Sequence, residues 1–278
     1  MATAFKWALE FNTPMALITL AATVSWCFFG VRVIGAGSLT SMREMKSALV
    51  LRCLLLGLLN PAFYYWILFT AYDLLPAQDA MAINYTWGLT LPLVAALFSR
   101  TLPTKHETGL ALVSYLGILF IVTDGNLRSL EFDEPVGLAF ALCSTIIWSL
   151  SWVINSRVAD ANSIDPELAL FLNFSAAVPL LWIVTGLAGQ LPSVSMGSLL
   201  GGLYVGLFEM GIAFVLWMNA MRLTDNPLRI SSLIFLAPPL SLLLIGTVLN
   251  ETIAGSTLVG LVIILVGLAG QQWLNRAR

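Results

Sequence analysis

Residues 195–221 read SMGSLLGGLYVGLFEMGIAFVLWMNAM, a run whose one formal charge, Glu209, sits near its centre. A helix of about 20 mostly apolar residues matches the hydrocarbon thickness of a bilayer. A soluble helix of this length would show a polar face, and none is present here. Eight further runs of the same kind occupy residues 14–34, 47–72, 77–99, 108–124, 135–156, 166–186, 227–249 and 254–274. Short connections join them, and the acidic loop 125–134 separates the fourth from the fifth. The reading is all-α: a polytopic membrane protein of nine spans, with no insertion large enough for a separate catalytic domain.

Composition agrees. Of 278 residues, 59% are hydrophobic and 10% charged, with a mean hydropathy of +0.90; a soluble domain carries about 25% charged residues. So much apolar surface needs lipid to cover it. The net charge of −2 says little, because in a membrane protein the placement of charge matters more than its sum. Lys6 and Glu10 precede the first run, which therefore reads as a membrane helix and not as a cleaved signal peptide. Cys27, Cys53 and Cys143 all lie in apolar runs and read as small buried packing residues, not as a disulfide framework. The only histidine, His106, has no Cys or His neighbour, so no metal site is expected.

Basic and acidic loops alternate. Arg32, Arg43 and Lys46 follow the first span, Arg100 and Lys105 the third, Arg157 the fifth, Arg222 and Arg229 the seventh, and Arg276 and Arg278 the last. Asp73 and Asp79, then Glu131, Asp133 and Glu134, then Glu251 occupy the intervening loops, with Arg128 as their only basic residue. By the positive-inside rule the C-terminus is cytoplasmic.

The two halves of the chain, 1–130 and 131–278, resemble each other. PMALITLAATVSW from Pro14 to Trp26 is similar to PVGLAFALCSTIIW from Pro135 to Trp148, 121 to 122 positions later. LLLGLLNPAFYYWILFTAYDLLPAQDA is similar to GGLYVGLFEMGIAFVLWMNAMRLTDNP in the register that sets Asn60 against Glu209, 149 positions later. The offset grows by 27 positions, about one helix and a turn. The second half thus has five spans and the first four, the second helix of the first repeat being absent. The stretch 32–46 cannot supply it, since its uncharged core of ten residues holds two glycines, two serines and a threonine. Nine spans with a cytoplasmic C-terminus put the N-terminus outside, whereas five plus five would put both ends inside.

Mid-span polar residues are the candidate site. A carboxylate at the depth of Glu209 is costly, by a few kcal/mol on the mildest scales. It faces protein or water, carries a proton, or has a partner. It is either a contact for a substrate amine or for protons, or a neutral acid bonded to a neighbouring backbone. Asn60 precedes Pro61, which removes a helical hydrogen bond and opens the helix. Open backbone near the midplane suits substrate contact, and equally Asn60 can satisfy a freed carbonyl. Asn60 and Tyr64 are one turn apart on a helical register, as are Asn84 and Trp87, while Trp148, Trp152 and Asn155 form a stripe at i, i+4 and i+7. Such aromatics stack on planar solutes or form an interfacial belt; Trp7, Trp66, Trp182 and Trp273 read as belt or packing. Pro92 and Pro238-Pro239 are candidate hinges, and Gly201, Gly202 and Gly206 a close-packing face.

Two tandem five-helix halves of this pattern resemble the drug/metabolite transporter superfamily, in particular its EamA-type permeases. Ile83-Asn84-Tyr85-Thr86-Trp87 is similar to the NYLW stretch of YddG-type aromatic amino acid exporters, and Ile147-Trp148-Ser149 with Asn155-Ser156-Arg157 resembles the same group. The resemblance implies inverted repeats around a central cavity that exports metabolites from the cytoplasm, with Tyr85, Trp87 and Trp148 lining it. The missing helix would pack beside that cavity. The candidate substrate-binding set is then Asn60, Tyr64, Asn84, Tyr85, Trp87, Trp148, Trp152 and Glu209, for a small-molecule substrate, with protons as a coupling partner, membrane lipids around the chain, and no cofactor, metal or nucleic acid.

Enzymatic chemistry finds no support: no span holds a histidine, an HExxH pattern or paired acids, and Ser149 and Ser151 lack a base. Phosphorylated substrates would call for central cations, but Arg52, the basic residue deepest in a span, lies near a cytoplasmic end where it can snorkel. Aromatic or neutral amino acids fit best. Cationic lipophilic drugs use the same features and form the second reading; a non-transporting receptor or scaffold is the third.

Overall fold

The computed structural model describes residues 1–99, 105–123, 125–126, 134–162, 164–216 and 237–276, which form helices with no strand among them. In chain order these are Ala2–Leu9 (α1), Pro14–Gly35 (α2), Leu39–Glu44 (α3), Ser47–Gly57 (α4) and Tyr64–Leu74 (α5). Then come Ala77–Asn84 (α6), Trp87–Ser99 (α7), Lys105–Val122 (α8), Pro135–Asn162 (α9) and Pro166–Leu187 (α10). Met196–Tyr204 (α11), Ala237–Val248 (α12) and Gly255–Arg276 (α13) complete the set. Wide i→i+5 turns at Leu58–Phe63 and Val205–Ile212 join α4 to α5 and extend α11.

Pro14–Gly35, Ser47–Leu74, Pro135–Asn155, Pro166–Leu187 and Met196–Leu216 are each long and apolar enough to cross a membrane. They account for five of the nine expected spans. The expected third span is not one helix, because it breaks at Tyr85-Thr86 into α6 and α7. The fourth and ninth are α8 and α13, whose apolar cores Thr108–Ile121 and Gly255–Gly270 are shorter. Of the eighth, Ala237–Val248 is helical, while positions 227–236, like 124 and 217–221, lie outside the described residues. The linker after α2 forms only the six-residue α3, in keeping with its glycines and hydroxyls. Helix α1 is new: eight residues, too short for the span pattern to reveal.

The helix starts follow from local chemistry. Thr13, Asp165 and Ser195 each accept a hydrogen bond from a first-turn N–H of α2, α10 and α11, and proline opens α2 and α10. Helices α2 and α10 end on Gly37 and Gly189 in the left-handed conformation (φ 69° and 66°), which lets the N–H groups of the next residues, Ser38 and Gln190, bond back to the carbonyls of Val33 and Thr185.

The chain divides into two compact units, to which α5 and α9 each contribute residues on both sides of the division. The first comprises residues 3–69 and 151–223. In it α2 packs on α10, α11 and the Val205–Ile212 turn, and α4 packs on α10. Glycines permit this closeness. A Cβ on Gly57 would overlap the Asn173 carbonyl, one on Gly206 the Ala21 carbonyl, and one on Gly202 the Leu20 side chain. Hydroxyls cross the same seams: Thr19 and Thr185 lie 2.7 Å apart, and Ser25 Oγ donates to the carbonyls of Ala21 and Gly206, each at 2.8 Å. Arg32 makes a two-point ion pair with Glu167, both contacts 2.7 Å, at one end of this unit. Trp182, expected in a belt or in packing, donates its indole N–H to Thr23, and Trp26 donates to Ser175.

Helix α1 lies along α11. Ala8 meets Gly201 and Phe11 meets Gly197, while Asn12 accepts from Ser198 Oγ at 2.6 Å and donates to its carbonyl. Because rising numbers in α1 meet falling numbers in α11, the two run antiparallel.

The second unit comprises residues 70–150 and 224–278. Helix α13 packs on α8 through Gly117 against Gly260 and Ser114 against Gly267. The segment after α12 clasps the start of α6: Gln78 donates to the Thr252 carbonyl and accepts from the Ala254 N–H, Glu251 accepts from the Ala77 N–H, and Thr257 donates to Asp79.

The outward faces are apolar. Val31, Leu97, Leu116, Leu187, Leu243 and Val262 are all exposed, as expected where lipid is the solvent. Cys53 is buried, but Cys27 and Cys143 are exposed free thiols. The expectation of three buried cysteines fails because an apolar run in a membrane helix covers its lipid face as well as its core.

Close packing gives a paired test. Gly57→Val should cost about 1–3 kcal/mol or prevent folding, whereas Gly109→Ala, with open space around it, should be neutral or stabilise by up to about 1 kcal/mol. Thermal unfolding of both variants in one detergent measures the contrast.

Candidate functional site

Asn60 interrupts the helical span Ser47–Leu74. Its φ and ψ of −145° and 115° are those of extended backbone, followed by a cis bond to Pro61. Proline offers no N–H to the helix, so the backbone opens at the residue where the sequence predicts it. The freed Asn60 side chain donates from Nδ2 to Ser151 Oγ at 3.2 Å, while its buried Oδ1 has no partner among the described residues.

Glu209 lies in the wide turn Val205–Ile212, half-buried. Its Oε1 accepts from the hydroxyl of Tyr65 at 3.4 Å. The two irregular turns occupy matching places in the repeat, since positions 58–63 moved on by 149 become 207–212. Both mid-span polar residues therefore sit in non-α backbone, where carbonyl and side-chain groups are free to face something other than their own helix.

In the second unit, Asn84 ends α6 and Trp87 begins α7. Asn84 Nδ2 donates to Ser144 Oγ at 3.1 Å, and Trp87 meets Trp148 edge to face with ring centres 6.3 Å apart. Ser144 and Trp148 are one turn apart on α9, so both of these first-half residues address one helix. A hydroxyl chain continues from there: Thr90 donates to Thr145 at 3.3 Å and lies 3.4 Å from the Tyr115 hydroxyl. Tyr85 caps α6, half-buried.

Of the eight expected site residues, Trp87 and Trp148 touch each other directly. Asn84 shares their helix pair. Trp152 is half-buried on α9, beside the Ser151 that holds Asn60. Tyr64 is buried against Tyr65 with ring centres 4.7 Å apart, and it is Tyr65 that reaches Glu209. Helical register favours i+4, hence Tyr64; the wide turn at Leu58–Phe63 changes that register. Spacing singles out neither Ser144 nor Tyr65, and it marks Ser151 only as a serine without a base. Small hydroxyls are common along spans, and nothing in their spacing marks these. The expected hinge Pro92 lies within α7, and Pro238 falls in the first turn of α12.

Spanning helices with apolar outer faces and polar residues paired at mid-depth define a multi-pass α-helical membrane protein. Residues 135–270 match the EamA-like transporter family and form a domain of that family. Over 160 residues the chain is 25% identical to an "Uncharacterized transporter" of Clostridium kluyveri, covering 56% of this chain and 50% of that protein. Over 188 residues it is 24% identical to a "Probable amino-acid metabolite efflux pump" of Salmonella typhimurium, covering 64% of this chain and 61% of that one. The chain thus spans about half to three-fifths of the length of these curated relatives. A solved crystal structure of a protein 22% identical in sequence shares the fold, with a TM-score of 0.68 over 100% of this chain and 94% of the other.

The Asn84–Ser144 bond is testable as a pair. Asn84→Ala and Ser144→Ala should each destabilise by about 1 kcal/mol, and the double variant by distinctly less than their sum. Additive losses in thermal unfolding would show that the bond is not made.

Proposed function

We propose that the chain exports small amphipathic metabolites, aromatic or neutral amino acids above all, across the bacterial inner membrane by alternating access. Glu209 carries this reading. A carboxylate retained near the middle of a span, within residues of an EamA-like domain, and given only one hydrogen-bond donor among the described residues is poised to meet a cationic group. An amino acid's ammonium is such a group, and protons are the other.

In this account Glu209 takes the substrate amine or the coupling proton. Asn60, with one acceptor unused, supplies a polar contact. Within the second unit, Trp87 and Trp148, edge to face, offer aromatic surface, and Tyr85 stands at the end of α6. Tyr64, Asn84 and Trp152 support these groups. The two halves, 1–130 and 131–278, act as inverted repeats, and the C-terminus faces the cytoplasm. Solute and protons drive the exchange between inward-open and outward-open states through their different affinities for the two. The amino-acid reading draws support from the printed name of the Salmonella relative.

Counterflow into proteoliposomes tests this with a panel of aromatic amino acids, aliphatic amino acids and cationic dyes. Aromatic amino acids should be taken up best, and Trp87→Ala and Trp148→Ala should each lower that uptake roughly tenfold or more at preserved protein yield. Preference for the dyes favours a multidrug exporter, and movement of no compound favours a receptor or scaffold. If Glu209 couples protons, Glu209→Gln keeps exchange but loses its response to a pH gradient; an unchanged response rejects that role.

A further inference from the structure

Glu209 is held by a contact that sequence spacing does not reveal. Among the described residues it is the only carboxylate well inside a span, since Glu167 and Asp73 lie at helix ends. Its donor, Tyr65, is fully buried, so a solute cannot reach the phenol ring, and whatever Tyr65 does it does through Glu209. The bond measures 3.4 Å.

The ring of Tyr65 has no freedom to look elsewhere. It packs against Tyr64 at 4.7 Å and against Phe69 at 5.5 Å, one turn on, and Phe69 is itself fully buried. Phe69 in turn meets Phe5 of α1 edge to face at 5.1 Å. Helix α1 is fixed to the helix that carries Glu209, through Ala8 on Gly201 and Asn12 on Ser198. The contacts therefore close a circuit: from α11 to α1, from Phe5 to Phe69, from Phe69 to Tyr65, and from the Tyr65 hydroxyl back to the carboxylate. A circuit of this kind fixes the direction of a hydroxyl more firmly than a single contact does, because the ring can neither tilt nor withdraw without unseating α1.

We propose that Tyr65 is the positioning residue of Glu209: its hydroxyl, seated by Phe69 and by Phe5 of the N-terminal helix, donates to Oε1 and aims the remaining carboxylate acceptors at a cationic amine. Helix α1, which looks from sequence like a short lead-in to the first span, is then part of the site's supporting shell. This rests on the reading of Glu209 as the amine contact, and its test separates the two.

The experiment compares wild type, Tyr65→Phe, Phe69→Leu and Glu209→Gln in proteoliposomes. It uses competition by phenylalanine and by 3-phenylpropionate, which lacks the amine, together with infrared spectroscopy of the side-chain carboxyl region. Tyr65→Phe should weaken phenylalanine roughly tenfold, the loss of one hydrogen bond to a charged group, and leave 3-phenylpropionate within about twofold. Damage to the fold alone would weaken both alike. The infrared band missing from Glu209→Gln should shift in Tyr65→Phe and broaden in Phe69→Leu. If Glu209→Gln keeps the preference for phenylalanine, the amine reading fails while a shifted band still upholds the positioning role. If Glu209→Gln abolishes the preference but Tyr65→Phe keeps it in full, the positioning role is overturned alone. A band unmoved in both Tyr65→Phe and Phe69→Leu overturns it whether or not phenylalanine is bound.

Discussion

Hydrocarbon offers no hydrogen bonds, so each polar group within a span must find its partner inside the protein or do without. That constraint organises the whole structure. Thr19, Thr23, Ser25, Ser114, Ser149 and Ser175 each return their hydroxyl to a backbone carbonyl one turn back. Ser25 and Ser114 also reach a carbonyl on a facing helix. Glycines at Gly57, Gly206, Gly117 and Gly260 bring the helices close enough for this to happen. Packing in lipid gains nothing from hiding apolar surface, because the solvent is equally apolar. Close contact and internal hydrogen bonds therefore hold these helices together.

The same constraint gives meaning to the exceptions. A break in a membrane helix exposes polar backbone, and it survives only where something else meets it. The break at Asn60 is met in part by Ser151, and the wide turn at Glu209 by Ser25 on the Gly206 carbonyl and by Tyr65 on the carboxylate. In the register that sets Asn60 against Glu209 the two irregular turns coincide, and each carries one polar residue with a hydrogen-bond partner on another segment.

Much of this was legible in the sequence, for a reason that also sets its limit. Spans announce themselves because lipid demands long apolar runs, and Pro14 and Pro166 mark helix starts by covalent geometry. The opening at Asn60 was legible through Pro61. The break at Tyr85-Thr86 and the wide turn Val205–Ile212 were not, since neither contains a proline. A four-residue register from Asn60 points to Tyr64, but the wide turn does not keep that register, and Tyr65 is the residue that reaches Glu209. Helix α1 escaped notice because eight residues with a lysine carry no span pattern; its stability comes from Gly197, Gly201 and Ser198, nearly two hundred positions away. The clasp of Gln78 and Glu251 on each other's segments is hidden by the same separation in sequence.

The balance of donors and acceptors at mid-depth points further. Asn60 keeps Oδ1 buried and unused, and the carboxylate of Glu209 has more acceptor sites than the Tyr65 hydroxyl can fill. Both surpluses are of acceptors. The arginines of the described spans, Arg32 and Arg52, lie toward helix ends, and Arg32 is already committed to Glu167. Among the described residues no cation stands at these breaks to offset the desolvation of an anion, a cost of several kcal/mol in a low-dielectric setting. A solute bearing an ammonium brings the donors that these groups lack. Among the described residues, the spans thus offer acceptors at these two breaks and keep their arginines toward the helix ends.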